Sequence, residues 1–472
     1  MGFMTPGAPK LGLHNVVSIS MGLIVTTSCL VSLGQGVGSV GLVFIPAMVI
    51  ACLLNMCTAA SIAELNALMP NTTGGLAQFT LAGLGPLPTL VSMVGGYLIC
   101  NVLSTGVEAS IFSYAMASII PLPIPSIVYA LAMTAIVMCA ALRGVDMFAK
   151  IQDVVAYLLM GSLIVMGLIG AVGMGTGTPV EQPAVAGGGW SDLGGVVAIA
   201  FWLFIGSEYV IPVSSEVKNA KRNVPLGMMV GLALILLMQV IVVLGFRNYV
   251  PWAELSDSAA PHLLYGERLL GQPGRIWMTI VSVLAVTGSQ NSTVNGLSHI
   301  CEGMAKMNMM PRVFARENRH GAPWIAVLFV SGSIGVFAFL SDGSSEAISF
   351  LILVGSVFWM TSYIFAHLDV LILRYRLPHA PRSFKVPFGA LLPCIGIAGT
   401  AFMIANISPD PVERNLIWAI TLVAFVLLSA YAVVWIKFKM RVPVFKPIPI
   451  PQVLAMENDL YYTIRRRRGL WR

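Results

Sequence analysis

Charged residues are scarce in this chain. Asp, Glu, Lys and Arg make up 10% of its 472 residues, whereas hydrophobic residues make up 57%. Because a soluble domain usually carries about 25% charged residues, this chain has too few of them to cover a surface exposed to water. The composition therefore excludes an ordinary soluble protein and favours one that uses the lipid bilayer as its solvent.

The apolar runs also lack the alternation of polar and apolar residues that is typical of β-barrel strands. The stretches 124–141 and 230–245, for example, are almost entirely apolar. Only helices and closed barrels satisfy every backbone group in lipid, and a spanning helix needs about 20 mostly apolar residues. The sequence therefore predicts an all-α membrane protein.

Twelve apolar segments are long enough to be transmembrane helices, and they are called spans one to twelve here. Prolines and glycines punctuate the connections between them. The predicted organisation is a cytoplasmic N-terminus (1–13), spans one to five (14–174), spans six to ten (192–373), spans eleven and twelve (387–436) and a basic cytoplasmic tail (437–472). The individual limits are 14–36, 40–66, 86–117, 123–142, 148–174, 192–214, 223–246, 275–305, 322–340, 346–373, 387–407 and 413–436.

The positive charges lie mostly on one side of this arrangement. Only Arg247, Arg268, Arg275 and Arg414 fall on the outer side, which leaves 23 of the 27 Lys and Arg residues on the side of both termini. Since cytoplasmic loops carry the excess of Lys and Arg, both termini are predicted to be cytoplasmic in a multi-pass protein of the cell membrane. The net charge of +7 is thus explained by orientation and needs no nucleic-acid partner. The basic tail either lies on anionic membrane lipids or is disordered.

The sequence has no motif for a metal, a cofactor or a disulfide. Its seven cysteines all lie in apolar stretches, no CxxC occurs and none falls in an outer loop, so no disulfide-linked partner subunit is expected. No HExxH motif occurs, and His299 and His367 lie near cytoplasmic helix ends, away from the hydroxyl-rich part of span one. These absences disfavour an intramembrane enzyme, and no cofactor is predicted.

Span three carries a polar stripe. Asn101, Thr105 and Glu108 are spaced i, i+4 and i+7, so they share one helix face. Glu108 is expected about 9 Å outward of the membrane midplane, where an ionisable group is costly and marks a functional site by default. The stripe indicates either the lining of a cavity or a hydrogen-bonded cluster between helices.

Two spans have features of broken helices at corresponding depths. Span six contains Gly206, Glu208 and Pro212, and span one contains Thr26-Thr27-Ser28 about twelve residues from its start. Paired interruptions in the two halves of a transporter point to a binding site at the membrane midplane. The alternative for the hydroxyl residues is bonding back to helix carbonyls. Trp202, one turn before the second break, either packs or forms a wall of the site.

Several loop motifs accompany these breaks. Residues 204–208 read FIGSE and are followed by SEVKNAKRNVP at 215–225, while LRGV occurs at 142–145, GSQN at 288–291 and PRSFKVP at 381–387. Together with MPR at 310–312 and RHGAP at 319–323, they resemble the motifs of the amino acid–polyamine–organocation (APC) superfamily of permeases. The resemblance runs from about residue 11 to residue 437.

The resemblance implies two inverted five-helix repeats plus two extra helices, with discontinuous spans one and six. It also implies that the solute's carboxylate and ammonium groups contact exposed backbone at the breaks. Gating or coupling roles fall on Glu208, Ser289 and Trp359. With the polar stripe included, the predicted substrate-binding residues are Thr26, Thr27, Ser28, Asn101, Thr105, Glu108, Trp202, Ile205 and Gly206.

The chain departs from the family pattern at two places. The glycines usual at the first break are replaced by Thr26-Thr27-Ser28, which puts capture of a solute carboxylate in question. Leu159 stands where some members have a lysine that replaces a sodium ion. The coupling ion, H⁺ or Na⁺, is therefore left open.

The predicted function is secondary active transport of an amino acid or a related amine by alternating access, with the solute held at the breaks of spans one and six. The alternative is an exchanger of polyamines, small amines or cationic amino acids. A nutrient sensor with a transporter fold and a channel are more remote: no large extra domain is visible for the first, and no repeated pore motif for the second.

Overall fold

The computed structural model describes residues 11–70, 75–120, 122–187, 189–258, 260–341, 345–408 and 410–456. Within these ranges the chain is helical, with two isolated β-bridges and no other strand pairing. The prediction of an all-α membrane protein is confirmed. The predicted N-terminus (1–13) is described only from Leu11 onward, and the basic tail (437–472) only as far as Met456.

Each of the twelve predicted spans coincides with a helix or with consecutive helices. The longer helices are Leu13–Gly22, Thr27–Val40, Phe44–Leu68, Leu76–Gly83, Cys100–Ile119, Ile127–Ala141, Val145–Ala171, Leu193–Trp202, Ala220–Tyr249, Pro261–Leu270, Gln272–Lys306, Trp324–Ser341, Ser345–Arg376, Leu391–Ala405 and Pro411–Trp435. Shorter or non-α helical segments are Pro86–Val91, Ser92–Ile99 (π), Gly189–Asp192 (3₁₀), Ser207–Glu216 (3₁₀), Trp252–Asp257, Arg312–Ala315 (3₁₀), Ile436–Met440 (π) and Ile450–Met456.

Among the described residues, seven helical segments are long and apolar enough to cross a membrane, and the bent pair in span one forms an eighth candidate. The apolar helices of spans four, nine and eleven are shorter: Ile127–Ala141, Trp324–Leu340 and Leu391–Ala405. The helix of span eight, Gln272–Lys306, has 35 residues but many buried polar side chains, among them Ser289 to Asn295. The protein is thus a multi-pass membrane protein, and the count of twelve crossings stays a prediction for these last four spans.

Span one is broken between Leu23 and Thr26. Its two helices, Leu13–Gly22 and Thr27–Val40, meet at an angle of 66°. The second helix begins here because Thr26 adopts an extended conformation (φ −102°, ψ 171°) and its Oγ1 accepts a hydrogen bond from the Cys29 amide at 3.1 Å.

Span six is interrupted at the predicted place. An α-helix ends at Trp202, a turn follows, and a 3₁₀ helix with Pro212 inside it runs from Ser207 to Glu216. Gly206 in the turn has φ +123°, which only glycine adopts readily. The discontinuity predicted for spans one and six is present in both.

The interrupted spans lie in the centre of the bundle. In the most apolar 18-residue stretch of Gly195–Glu216, 83% is buried inside the protein, whereas the corresponding stretch of Pro411–Met440 in span twelve is only 11% buried and presents apolar side chains outward. Because broken backbone is tolerated at membrane depth only where it is enclosed by protein or lines a cavity, this central position is what the two breaks require.

The first part of the tail packs against the bundle. The Ile448 amide donates to the Leu81 carbonyl at 3.1 Å, and the Leu87 amide donates to the Val444 carbonyl at 3.2 Å. In the short helix Ile450–Met456, Val453 is buried. The predicted lipid-bound or disordered state of the tail therefore concerns only its last part, beyond the described residues.

Candidate functional site

A cavity of about 40 Å³ lies between the two helix breaks. Its walls come from spans one, three, six, eight and ten. Nine predicted site residues line it: Thr26, Ser28, Asn101, Thr105, Glu108, Trp202, Ile205, Ser289 and Trp359. The other three, Thr27, Gly206 and Glu208, are not part of the lining and lie beside it. The binding and gating roles assigned to these twelve residues stay predictions.

The carboxylate of Glu108 is hydrogen-bonded to the helix start at the break in span one. Its two oxygens accept hydrogen bonds from the backbone amides of Thr27 at 3.2 Å and Ser28 at 2.9 Å. These amides belong to the first turn of Thr27–Val40, where they have no partner within the helix. The partial positive charge at a helix N-terminus favours an anion here. The side chain of Glu108 is buried, with 4% of its surface exposed. Its two hydrogen bonds connect span three to span one.

The hydroxyl groups at this break bond locally. Thr26 Oγ1 lies 2.8 Å from Ser28 Oγ, and it also caps the Cys29 amide. The buried Thr27 hydroxyl has no hydrogen-bond partner among the described residues. The bonds of Thr26 go to the start of the following helix, and so differ from the expected alternative of bonding back to carbonyls of the preceding turn.

The polar stripe of span three lines the cavity and also forms hydrogen bonds between and within helices. Asn101, Thr105 and Glu108 all line the cavity, and Thr105 also donates to Thr293 of span eight at 3.1 Å. The Asn101 amide nitrogen donates to the Tyr97 carbonyl one turn earlier, at 2.9 Å. The stripe is both a cavity wall and a set of hydrogen bonds.

One backbone carbonyl at each break lacks a hydrogen-bond partner among the described residues. Leu23 of span one and Ile205 of span six line the cavity, and their backbone carbonyl groups accept no hydrogen bond from any described residue. The two breaks also touch, since a Cβ atom at Gly206 would lie 3.0 Å from Leu23 Cδ2. A carbonyl group that lies unpaired in an apolar surrounding is costly.

Glu208, which does not line the cavity, accepts hydrogen bonds from three aromatic side chains. The Tyr363 hydroxyl lies 2.8 and 2.9 Å from its two oxygens, and Trp359 Nε1 and the Tyr97 hydroxyl donate to Oε1 at 3.0 and 3.2 Å. The Gly206 amide in turn donates to the Tyr363 hydroxyl at 3.3 Å. This network joins span six to spans three and ten next to the break.

Two tryptophans wall the cavity on one side. The rings of Trp202 and Trp359 meet edge to face with centroids 6.1 Å apart, and Tyr97 lies 5.9 Å from Trp359. Such aromatic pairs add about 0.5–1.5 kcal/mol beyond their buried area. Trp359 therefore links the cavity wall to the Glu208 network.

Ser289 and Leu159 lie near the first break. The Ser289 hydroxyl donates to the Val286 carbonyl at 3.1 Å and lines the cavity. Leu159 packs with Gly22 and Val25 of span one around a small apolar gap. The position at which some APC permeases carry a lysine thus faces the span-one break here with an apolar side chain. Within the described ranges, no group of three or more His, Cys, Asp or Glu side chains is placed to hold a metal.

Sequence reasoning missed several residues of this region. Ser104 lines the cavity and stands three residues after Asn101, so the same helical spacing could have identified it. Tyr97 precedes Asn101 by one turn, and Tyr363 follows Trp359 by one turn. Their contacts with Glu208 could not have been inferred, because nothing in the sequence shows which spans pack against span six.

The chain is similar to a family of known proteins. The family model described as "Amino acid permease" matches residues 11–430. The branched-chain amino acid permease BcaP of Bacillus subtilis (strain 168) is 23% identical, over 87% of this chain and 90% of the permease. The human cystine/glutamate transporter is also 23% identical, over 88% of this chain and 85% of the transporter. Both relatives are transporters and not enzymes, as the sequence predicts for this chain.

A solved structure shares the fold. A Na⁺-coupled sialic acid symporter in a substrate-bound outward-open state superposes with a TM-score of 0.52 and 10% identity, over 86% of this chain and 92% of the symporter. Since the family model covers most of the chain, the APC resemblance of the loop motifs is confirmed, and the protein belongs to the amino acid permease family.

Proposed function

We propose that this protein carries a small solute with an amino group across the cell membrane by alternating access, with the solute held between the breaks of spans one and six. Family membership supports the transport activity. The amino acids that the relatives are named for support an amino-bearing solute.

The observation that carries the proposal is the set of acceptors around the cavity. The carbonyl groups of Leu23 and Ile205 are unpaired among the described residues, and the Glu108 carboxylate stands on the same cavity. No Lys, Arg or His side chain of the described residues forms an ion pair with Glu108. An ammonium group offers three N–H donors and one positive charge, which is what these acceptors lack.

Alternating access follows from the position of this cavity. Both breaks lie near the middle of their spans, and each joins two helical pieces. We propose that spans one to five and six to ten form inverted repeats, and that one group of helices rocks against the other around the cavity. Both termini are placed in the cytoplasm in this proposal, because 23 of the 27 basic residues lie on their side.

The Glu108 carboxylate specifically favours a second candidate, an exchanger of small amines or cationic amino acids. In its ionised form, a carboxylate on the cavity attracts a second ammonium group as well as a first. A neutral amino acid brings its own carboxylate next to this charge.

Uptake into proteoliposomes tests the proposed function. The purified full-length chain is reconstituted and offered labelled amino acids and primary amines under a sodium gradient, a proton gradient or an internal load of unlabelled solute. Saturable uptake of at least one amino-bearing solute is expected, and the gradient that drives it identifies the coupling.

A cavity-filling variant ties this uptake to the site. Ser104→Phe, which fills the cavity, should abolish uptake, whereas Leu422→Phe on the outward face of span twelve, where Leu422 is 65% exposed, should not. The absence of uptake for every amino-bearing solute, or full uptake by Ser104→Phe, would refute the proposal.

A further inference from the structure

The break in span one already holds a carboxylate that belongs to the protein. The first-turn amides of Thr27 and Ser28 bind the two oxygens of Glu108, and Thr26 Oγ1 binds the amide of Cys29. The three amides at the start of this helix are therefore all engaged by oxygen atoms of the chain. A helix start of this kind is where an external anion would bind if it were free.

A solute carboxylate has no remaining place at this end of the cavity. To reach the Thr27 and Ser28 amides, it would have to displace Glu108, which comes from a different span. To bind beside Glu108, it would bring two negative charges close together in a buried site that has no cation among the described residues. Like charges at short range in such a surrounding repel strongly.

We propose that Glu108 is a specificity-determining residue that stands in for the carboxylate of an amino acid, so that the site accepts a small primary amine and rejects the amino acid with the same side chain. The inference rests on the proposed function and narrows its substrate class. In this arrangement the solute ammonium lies between Glu108 and the carbonyls of Leu23 and Ile205.

The size of the cavity limits the amine. A volume of about 40 Å³ has room for roughly three water-sized groups, since one water needs about 10–15 Å³ on this measure. Trp202 and Trp359 close one side of it. A short primary amine fits this volume better than an extended polyamine.

Matched pairs of solutes isolate the effect of the carboxylate. Isobutylamine and valine share their side chain, as do 3-methylbutylamine and leucine, and only the amino acid of each pair has a carboxylate. Uptake by the reconstituted full-length protein is measured for both members of each pair. For the wild type, the ratio of kcat/KM for amine over amino acid should exceed about tenfold, the factor that corresponds to about 1.4 kcal/mol of discrimination.

Two substitutions of Glu108 should change this ratio in a defined way. Glu108→Gln keeps the shape and removes the charge, so amine uptake should fall at least tenfold. Glu108→Gly frees the Thr27 and Ser28 amides, so uptake of valine should rise relative to isobutylamine. Glu254→Gln, in an exposed outer pair with Arg268, is the matched control and should leave the ratio unchanged.

The outcomes separate this inference from the proposed function. Wild-type uptake of valine that equals or exceeds that of isobutylamine overturns the role of Glu108 and leaves the transporter assignment standing. An equal loss of both solutes in Glu108→Gln shows a purely structural role and also overturns the inference. If the wild type carries neither amines nor amino acids, the proposed function itself fails.

Discussion

The two helix breaks use their buried glutamates differently. At span one, Glu108 accepts from two backbone amides of a neighbouring helix and lines the cavity. At span six, Glu208 accepts from three aromatic side chains of spans three and ten and lies outside the cavity lining. Both carboxylates are at most 4% exposed.

The difference lies in whether the hydrogen-bond donors of each glutamate can find another acceptor when the carboxylate is removed. The partners of Glu108 are amides next to a cavity, where water or a solute can replace a missing oxygen. Two partners of Glu208, Tyr97 and Tyr363, are buried side-chain donors outside the cavity lining, where no substitute acceptor can reach them. Glu108 is therefore expected to control solute selection, whereas Glu208 is expected to hold the break of span six against spans three and ten.

The largest predicted effect on stability is at Glu208. Glu208→Ala removes the acceptor of three buried donors, and because each unsatisfied donor costs about 1–3 kcal/mol, the loss should be at least about 3 kcal/mol. The midpoint of thermal unfolding of the detergent-purified protein should fall far more than for Glu108→Ala. Glu208→Gln keeps one acceptor oxygen and should fall between wild type and Glu208→Ala. Equal losses for the two alanine variants would remove the distinction between the two sites.

The next effect is at Gly206, where the backbone itself forms the break. Gly206→Ala forces an L-residue to φ +123°, which should cost about 1–3 kcal/mol and reduce transport. Gly195→Ala is the matched control in the preceding helix, because a Cβ there meets nothing within 4 Å. If Gly206→Ala is as stable and as active as Gly195→Ala, the left-handed turn is not required for the site.

A smaller effect is predicted at Thr26, which caps the second helix of span one. Thr26→Ala removes the acceptor for the Cys29 amide and should cost about 1 kcal/mol in thermal unfolding. Thr26→Ser retains the capping oxygen and should restore most of this loss. An unchanged unfolding midpoint in Thr26→Ala would mean that Glu108 alone is sufficient to start the helix.

The smallest change in stability is predicted for an exposed ion pair outside both breaks, and it is the reference for the larger changes. Glu254 and Arg268 form an exposed ion pair at 2.9 Å in the connection between spans seven and eight. Glu254→Gln should change stability by no more than about 1 kcal/mol, since exposed pairs contribute little. A larger shift in the unfolding midpoint would show that this connection is coupled to the bundle more tightly than its exposure indicates.

The sequence predicted the helical architecture because hydropathy and turn residues act locally. The polar triplet at Thr26 to Ser28 and the glycine at position 206 located both breaks, since paired interruptions in the two halves indicate broken helices. The span limits differ by a few residues from the observed helices, as in span seven, which was predicted at 223–246 and runs from Ala220 to Tyr249.

The partners of the buried carboxylates were beyond sequence reasoning. Glu108 was predicted on a polar face of span three, yet its bond to the Thr27 and Ser28 amides joins positions about 80 residues apart. Tyr363 reaches Glu208 across 155 positions. Such contacts depend on the relative rotation of packed helices. In apolar spans with few charges, the sequence does not show which helix faces meet.

The most direct test of the account is a density map of the full-length protein in lipid nanodiscs with a saturating transported amine. The account predicts solute density between the two breaks, with its ammonium within hydrogen-bonding distance of Glu108 and of the carbonyls of Leu23 and Ile205. Solute density at another position, with the cavity between Thr26 and Ile205 filled only by water, would contradict it.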